Sequence, residues 1–128
     1  LLKSLARLAP LESGEVSLNQ QDMTSFSAPE WRRKVMYLPP EVSYEADQSI
    51  PEFLDHPLRL KVHSQTRRQF DFPTWVGSLS GPMKLLSSGQ MQKLALLRAL
   101  SLNPEVLLLD ETFGHMDRES RMDMSRLL

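Results

Sequence analysis

Cysteine is absent from this chain of 128 residues, and so are long apolar runs. Without cysteine, neither a disulfide framework nor a metal site built on thiolates can form. The longest apolar runs are far too short to cross a bilayer as a helix. We therefore expect any association with a membrane to come through a partner protein.

An excess of charge of either sign is also missing. Fifteen Lys and Arg residues stand against 16 Asp and Glu residues, a net charge of −1. This balance gives no reason to expect nucleic acid or an anionic membrane as partner. One stretch is locally basic, but it lacks interleaved aromatic residues, so we predict a solvated helix face there. Its basic residues are Arg59, Lys61, His63, Arg67 and Arg68.

The most informative stretch begins with Ser87, Ser88 and Gly89, which precede good helix formers at residues 91–100. A helix that starts on such residues leaves backbone N–H groups free at the positive end of its dipole. The sequence therefore predicts a helix whose N-terminus can bind an anion such as phosphate. Pro104 ends this helix, because proline cannot continue it.

Four apolar residues follow at 106–109, and then come Asp110 and Glu111. A short apolar run with a β-branched member is typical of a strand buried on both faces. The two acids would emerge at its carboxyl end, where open parallel sheets place their ligands. One carboxylate can hold hydrated Mg²⁺ while the other orients or deprotonates a water.

Together these segments resemble known motifs. Leu-Ser-Ser-Gly-Gln at residues 86–90 resembles the Leu-Ser-Gly-Gly-Gln signature of ABC-type ATPases, with Ser88 in place of the first glycine. Residues 106–111 resemble the Walker B strand with its catalytic glutamate, and residues 114–117 occupy the place of the D-loop. Taken singly, a capped helix or a strand ending in acids is commonplace. Their order and separation point to the family.

The resemblance implies the roles of these residues. In the family, two domains enclose two ATP molecules head to tail, and the signature faces the γ-phosphate of ATP held by the other domain. The residues in that position are Ser87, Ser88, Gly89 and Gln90. Asp110 would bind Mg²⁺ through water, Glu111 would be the catalytic base or orient the attacking water, and Asp117 would carry contacts across the dimer.

The beginning of the chain reads as a helix without a cap, with leucines at helical spacing at positions 1, 2, 5 and 8 and an end at Ala9-Pro10. In the family, such a helix directly follows the phosphate-binding Gly-x-x-x-x-Gly-Lys-Ser/Thr loop. We therefore expect the loop to precede Leu1 and the family's switch histidine to follow residue 128. By itself, this piece is expected to be inactive.

The intervening sequence predicts two strands and two capped helices. Residues 15–18 alternate as a strand should, and residues 19–22 are expected to turn the chain. Ser27 with Glu30, and Ser49 with Glu52, form two capping-box patterns at helix starts. The first helix should end at residue 34 before a strand at 35–38, and the second should break before Pro57.

Two prolines end the strand at 35–38. In the family, a glutamine that touches the metal or the attacking water follows such a strand. Pro40 occupies that position and offers neither a side-chain ligand nor an N–H donor, and Glu41 follows it. Either Glu41 has taken over the glutamine's role or the position is degenerate.

The fold class expected from the resemblance is α/β, the core of a P-loop NTPase with a short helical subdomain. Residues 1–46 would hold the first helix and β-strands, about 47–86 the helical subdomain, and 87–128 the signature helix, Walker B strand, D-loop and following helix. We expect Phe70, Phe72 and Trp75 to be buried in the helical part. A second Leu-Ser-Gly string at 79–81 is rejected as the signature because Pro82 does not begin a helix.

The function implied by the resemblance is that of a cytoplasmic ATPase subunit, bound to the membrane through a transmembrane permease and using ATP and Mg²⁺. Its second partner would be another ABC ATPase domain. Two alternatives remain: an ABC ATPase that acts on nucleic acid, and an ABC-like module that dimerises and senses ATP without cleaving it. The short region 47–86 argues against the first. Pro40 and Ser88 lend some weight to the second, and the Asp110-Glu111 pair argues against it.

Overall fold

A computed structural model describes residues 1–56, 71–114 and 116–128. The helices are α1 (Leu2–Leu5), α2 (Ala28–Lys34), α3 (Ile50–Asp55), α4 (Thr74–Gly77), α5 (Ser88–Ser101) and α6 (Arg118–Leu127). The strands are β1 (Ser17–Leu18), β2 (Gln21–Asp22), β3 (Val35–Leu38) and β4 (Val106–Leu109). Short 3₁₀ turns occupy Met23–Ser25 and Met83–Leu85. The chain is thus a mixed α/β structure.

The parallel pair β3–β4 forms the centre of the described fold. Val35 pairs with Val106 and Leu38 with Leu109, so both strands end at the same edge. The limits predicted for both strands are confirmed. The prediction that β4 is buried on both faces is wrong, because all four of its residues are only half-buried. The faces of a strand are covered by the elements that pack on the sheet, and within the described residues these leave β4 partly accessible.

The first hairpin is shorter than predicted. Only Ser17–Leu18 of the expected strand pairs, and its antiparallel partner is Gln21–Asp22, which we expected to lie in the turn. The turn itself is confined to Asn19 and Gln20, which have φ of 51° and 66°. Two consecutive residues with positive φ match the twist of the flanking strands, so the chain can reverse within two residues.

Helix α1 ends at Leu5 and not at Ala9-Pro10, which corrects the predicted limit. Arg7 has φ of 55°, and the N–H groups of Leu8 and Arg7 donate to the carbonyls of Lys3 and Ser4. This pattern is a Schellman motif with Arg7 at the position usually held by glycine. The Arg7 guanidinium donates to the carbonyl oxygens of Met23 and Phe26 at 3.2 and 2.6 Å. These tertiary contacts stabilise the unusual backbone conformation.

Both predicted capping boxes are present. The Ser27 hydroxyl accepts from the Glu30 N–H, and the Glu30 carboxylate accepts from the Ser27 N–H. Ser49 and Glu52 make the same reciprocal pair at the start of α3. The predicted starts of α2 and α3 are therefore confirmed, as is the end of α3 before Pro57.

The core lies between α3, α5 and the sheet. Its fully buried side chains include Phe53, Leu94 and Leu96. The Arg98 guanidinium stacks 3.8 Å from the centre of the Phe53 ring and donates to the Phe53 carbonyl at 3.3 Å. Burial lowers the pKa of Arg98 to about 10, so the group remains protonated at neutral pH. A cation over an aromatic face thus joins α3 to α5.

The predicted aromatic anchors have different environments. Trp75 is half-buried against the core, and the Lys93 ammonium lies 5.3 Å from the centre of its ring. Phe72 is 37% exposed, so the prediction that it is buried is wrong. The rejected string at 79–81 leads into the 3₁₀ turn Met83–Leu85 and not into a helix. The predicted basic helix face and Phe70 lie outside the described residues, as does His115 within the D-loop position at 114–117.

None of the helices in the described ranges combines the length and the apolar composition needed to cross a membrane.

Candidate functional site

The N-terminus of α5 carries a third capping box. Ser87 is the N-cap: its hydroxyl oxygen accepts from the Gln90 N–H at 3.2 Å. In return, Oε1 of Gln90 accepts from the Ser87 N–H at 2.9 Å. The sequence placed this helix start correctly. The box itself involves two of the residues in the stretch 86–90, Ser87 and Gln90.

This capping box leaves hydrogen-bond donors available. The serine hydroxyl accepts and the Gln90 amide accepts through oxygen, so the Ser87 O–H and the Gln90 NH₂ remain unused by the box. The backbone N–H groups of Ser88 and Gly89 have no acceptor within the described parts of the chain. Both residues lie in the first helical turn, where a dipole favours an anion. The arrangement can bind a phosphate oxygen with several donors.

Asp110 follows β4 at the carboxyl end of the sheet. Its backbone N–H donates to the Leu38 carbonyl at 3.1 Å, which continues the pairing of β4 with β3 by one residue. Its carboxylate accepts a hydrogen bond from the Tyr37 hydroxyl, with 2.7 Å between Oη and Oδ2. This hydrogen bond raises the pKa of Tyr37, so the tyrosine remains a donor throughout the physiological range.

Glu111 has a different environment from its neighbour. It is exposed and has φ of 49°, in the left-handed region. Its carbonyl accepts from the Gly114 N–H at 2.9 Å, and a Cβ added to Gly114 would lie 3.3 Å from that oxygen. Strained backbone of this kind concentrates at functional sites. Of the two adjacent acids, one is fixed by a hydrogen bond and the other is exposed on a tight turn.

Asp117 is the N-cap of α6, the helix predicted to follow the D-loop position. Its Oδ1 accepts from the Ser120 N–H at 2.7 Å, and its Oδ2 accepts from the Ser120 hydroxyl at 3.1 Å. The backbone hydrogen bond from Ser120, followed by its hydroxyl, lowers the pKa of Asp117 below its ordinary value of 3.8. The carboxylate is exposed and sets the direction in which α6 leaves the site.

We predict that Asp117→Asn makes stability less dependent on pH in acid. Because the pKa of Asp117 is lowered in the folded state, its contribution is fully present above pH 3.8 and is lost as pH falls through the lower folded value. Asparagine also caps helices but does not titrate. Thermal melting of the full-length protein between about pH 5 and about pH 3 measures the difference. Exposed Asp71 supplies the control Asp71→Asn, and equal acid sensitivity of wild type and Asp117→Asn would contradict the prediction.

The segment that follows β3 accepts a hydrogen bond from a side chain of α5. Nε2 of Gln92 donates to the Pro40 carbonyl oxygen, while Glu41 is exposed. Gln92 is only 3% exposed, and its Oε1 is buried without a partner among the described residues, as is Oγ1 of Thr112. A pocket of about 370 Å³ lies beside the contact between Gln92 and Pro40. Its lining residues are Pro40, Glu41, Val42, Ser88, Met91 and Gln92.

The residues near β4 fit hydrated Mg²⁺ better than a directly ligated metal. Within the described ranges, no group of three or more His, Asp or Glu residues could hold a metal. No described side chain donates to Oδ1 of Asp110, so that oxygen can accept from a metal-bound water. Mg²⁺ usually keeps several waters and uses one or two carboxylates. A single carboxylate with one available oxygen satisfies that requirement.

Sequence reasoning missed Tyr37 and Gln92. Tyr37 is a polar side chain within the otherwise apolar strand β3, whereas Gln92 lies between Met91 and Lys93 in the largely polar first turns of α5. A buried tyrosine usually finds a hydrogen-bond partner, and this was the available signal for Tyr37, while Gln92 carried no comparable signal. The identities of the partners depend on the pairing of β3 with β4 and on the packing of α5 against β3.

The parallel pair β3–β4 ends in two acids at the edge where open α/β sheets bind their ligands. The family model described as ABC transporter matches residues 1–114. The chain therefore belongs to the ABC transporter family. Membership implies a P-loop NTPase fold, and it confirms the family predicted from residues 86–117.

Curated relatives cover nearly the whole chain. A molybdate/tungstate import ATP-binding protein of Methanocaldococcus jannaschii is 30% identical over 91% of this chain and 41% of its own length. A sulfate/thiosulfate import ATP-binding protein of Methylococcus capsulatus is 32% identical over 100% of this chain and 39% of its own. A putrescine export system ATP-binding protein of Escherichia coli is 30% identical over 100% of this chain and 52% of its own. The chain thus spans about two fifths of the length of the first two relatives.

Proposed function

We propose that this chain is part of an ATP-hydrolysing subunit that powers a membrane transporter. The observation that carries the proposal is the pair of acids at the carboxyl end of β4. Asp110 is fixed by Tyr37, and Glu111 is exposed on a strained turn. The names of the relatives, all ATP-binding proteins of import or export systems, support transport.

In the proposed mechanism, Oδ1 of Asp110 would hold a water of hydrated Mg²⁺, which when bound would supply neutralisation of phosphate charge. Glu111 accepts a proton from the attacking water or orients it, for which its exposure and position beside Asp110 are suited. Catalysis of this kind consists mostly of positioning and electrostatic stabilisation.

The signature residues act on ATP held by a second ABC ATPase domain. The Ser87 hydroxyl, the Gln90 amide and the N–H groups of Ser88 and Gly89 would surround the γ-phosphate. Their availability as donors supports this role. Asp117 would contact the second domain from the start of α6. Closure of two such domains would complete each ATP site.

We assign the permease contact to the helical subdomain at about residues 47–86, with Pro40 and Glu41 in the segment before it. The donation of Gln92 to the Pro40 carbonyl supplies a polar contact where the family's glutamine is missing. The subunit would lie on the cytoplasmic side of the membrane, bound through the permease. The relatives carry names with different cargoes, so the ATPase residues do not set the transported substrate.

Residues 1–128 contain no Gly-x-x-x-x-Gly-Lys-Ser/Thr loop. We predict that this chain alone releases no phosphate from MgATP, because that loop supplies the lysine and backbone donors for the phosphates. The full-length protein is predicted to hydrolyse MgATP. Phosphate release by both proteins, with circular dichroism to show that each is folded, tests the prediction.

The outcomes separate the candidate functions. Turnover by the 128-residue chain would contradict the need for the loop. ATP binding without turnover by the full-length protein would indicate the non-hydrolysing module. Turnover stimulated by DNA or RNA, and not by permease in membranes, would indicate the ABC ATPase that acts on nucleic acid.

A further inference from the structure

Tyr37 contacts the acid that the proposed function assigns to the metal, and the mechanism above gives it no role. Its hydroxyl donates to Oδ2 of Asp110 across 73 residues of sequence. The ring is half-buried on β3, between the more deeply buried Val35 and Leu38. A tyrosine at this position thus combines strand packing with a polar contact at the edge of the sheet.

The strand register explains why Tyr37 reaches Asp110. Tyr37 pairs with Leu108, and Asp110 lies two residues further along the chain. Side chains two residues apart on an extended chain share a face, so Asp110 is the diagonal neighbour of Tyr37. Diagonal neighbours are within reach of aromatic side chains but not of short ones. Serine or threonine at position 37 would be too short, and phenylalanine would reach without donating.

We propose that Tyr37 is a positioning residue that holds the Asp110 carboxylate so that Oδ1 faces a water of hydrated Mg²⁺. The inference rests on the proposed function, which places the metal at Asp110. The hydroxyl occupies Oδ2 and therefore fixes the rotation of the carboxylate about its Cβ–Cγ bond. Outer partners of this kind orient metal-binding groups and raise metal affinity.

The hydrogen bond also distinguishes the two adjacent acids. Tyr37 contacts Asp110, whereas Glu111 is exposed on the turn after the strand. The metal-binding acid is therefore held in one orientation before metal arrives, and less side-chain freedom is lost on binding. Glu111 is exposed, which suits a group that must approach a water.

The test uses Tyr37→Phe in the full-length protein, with Mn²⁺ as the probe because it prefers the same oxygen ligands as Mg²⁺. The chain has two tyrosines, and Tyr44, which is 38% exposed, supplies the matched control Tyr44→Phe. Electron paramagnetic resonance of free Mn²⁺ gives the affinity for metal in the presence of ADP. ADP affinity measured in excess chelator gives the part of ADP binding that does not depend on metal.

We expect Tyr37→Phe to weaken Mn²⁺ binding about tenfold, with metal-free ADP affinity unchanged. Tyr44→Phe should match wild type in both measurements. Unaltered Mn²⁺ affinity in Tyr37→Phe would overturn the inference, and so would an equal loss of metal-free ADP affinity, which would indicate a general structural role. Wild-type protein that binds ADP but no Mn²⁺ would overturn the proposed metal site itself, a result distinct from failure of the Tyr37 variant alone.

Discussion

Glu111→Gln in the full-length protein is expected to lower ATP turnover by roughly 10²–10⁴-fold while ATP remains bound. Glutamine keeps the size of the side chain but cannot accept the proton of the attacking water. The backbone should tolerate it, because Gln20 adopts a φ of 66° in this chain, close to the 49° of Glu111. Since Glu111 is exposed, the change leaves no buried group without a partner.

Phosphate release and nucleotide binding by the same preparation measure the effect. Glu119→Gln is the matched control, because Glu119 is an exposed acid in the first turn of α6 and has no assigned role. It should retain wild-type turnover. Hydrolysis at the wild-type rate by Glu111→Gln would remove Glu111 from the proposed mechanism and would favour a water-positioning group elsewhere.

The second large effect is structural. Leu94→Ala should lower the free energy of unfolding by about 2–5 kcal/mol, since it removes buried methyl groups and leaves a cavity. Leu94 is 0% exposed and belongs to the core cluster that joins α5 to α3 and the sheet. A loss of this size is a large fraction of the net stability of an ordinary domain.

Urea unfolding of the full-length protein, followed by tryptophan fluorescence, measures the change. Leu85→Ala removes the same atoms from a side chain that is 71% exposed, and it should alter stability by less than about 0.5 kcal/mol. Equal destabilisation by both variants would contradict the burial assigned to Leu94. Because α5 carries the signature residues at its start, we also expect Leu94→Ala to reduce turnover near its melting temperature.

Local chemistry made several elements predictable. The capping boxes at Ser27 and Ser49 involve partners three residues apart, so the sequence alone specifies both ends of each interaction. The apolar run at 106–109 and the two prolines after residue 38 likewise set the ends of β4 and β3. The start and end of α5 followed from Ser87 and Pro104 for the same reason.

The predictions that failed depended on distant contacts. The early end of α1 is stabilised by donation from Arg7 to carbonyls at Met23 and Phe26. The half-burial of β4 depends on what packs against the faces of the sheet, and the exposure of Phe72 depends on how its segment packs. Periodicity reports which face of an element is apolar, but it does not report what covers that face.

The sequence by itself determined the family, the pair of acids and the donor-rich helix start, because each is a pattern of neighbouring residues. Only the tertiary structure decided that Tyr37 binds Asp110 and that Gln92 binds the Pro40 carbonyl. These contacts join residues 73 and 52 positions apart. They exist because the register of β3 with β4, and the packing of α5 on β3, bring those side chains within hydrogen-bond distance.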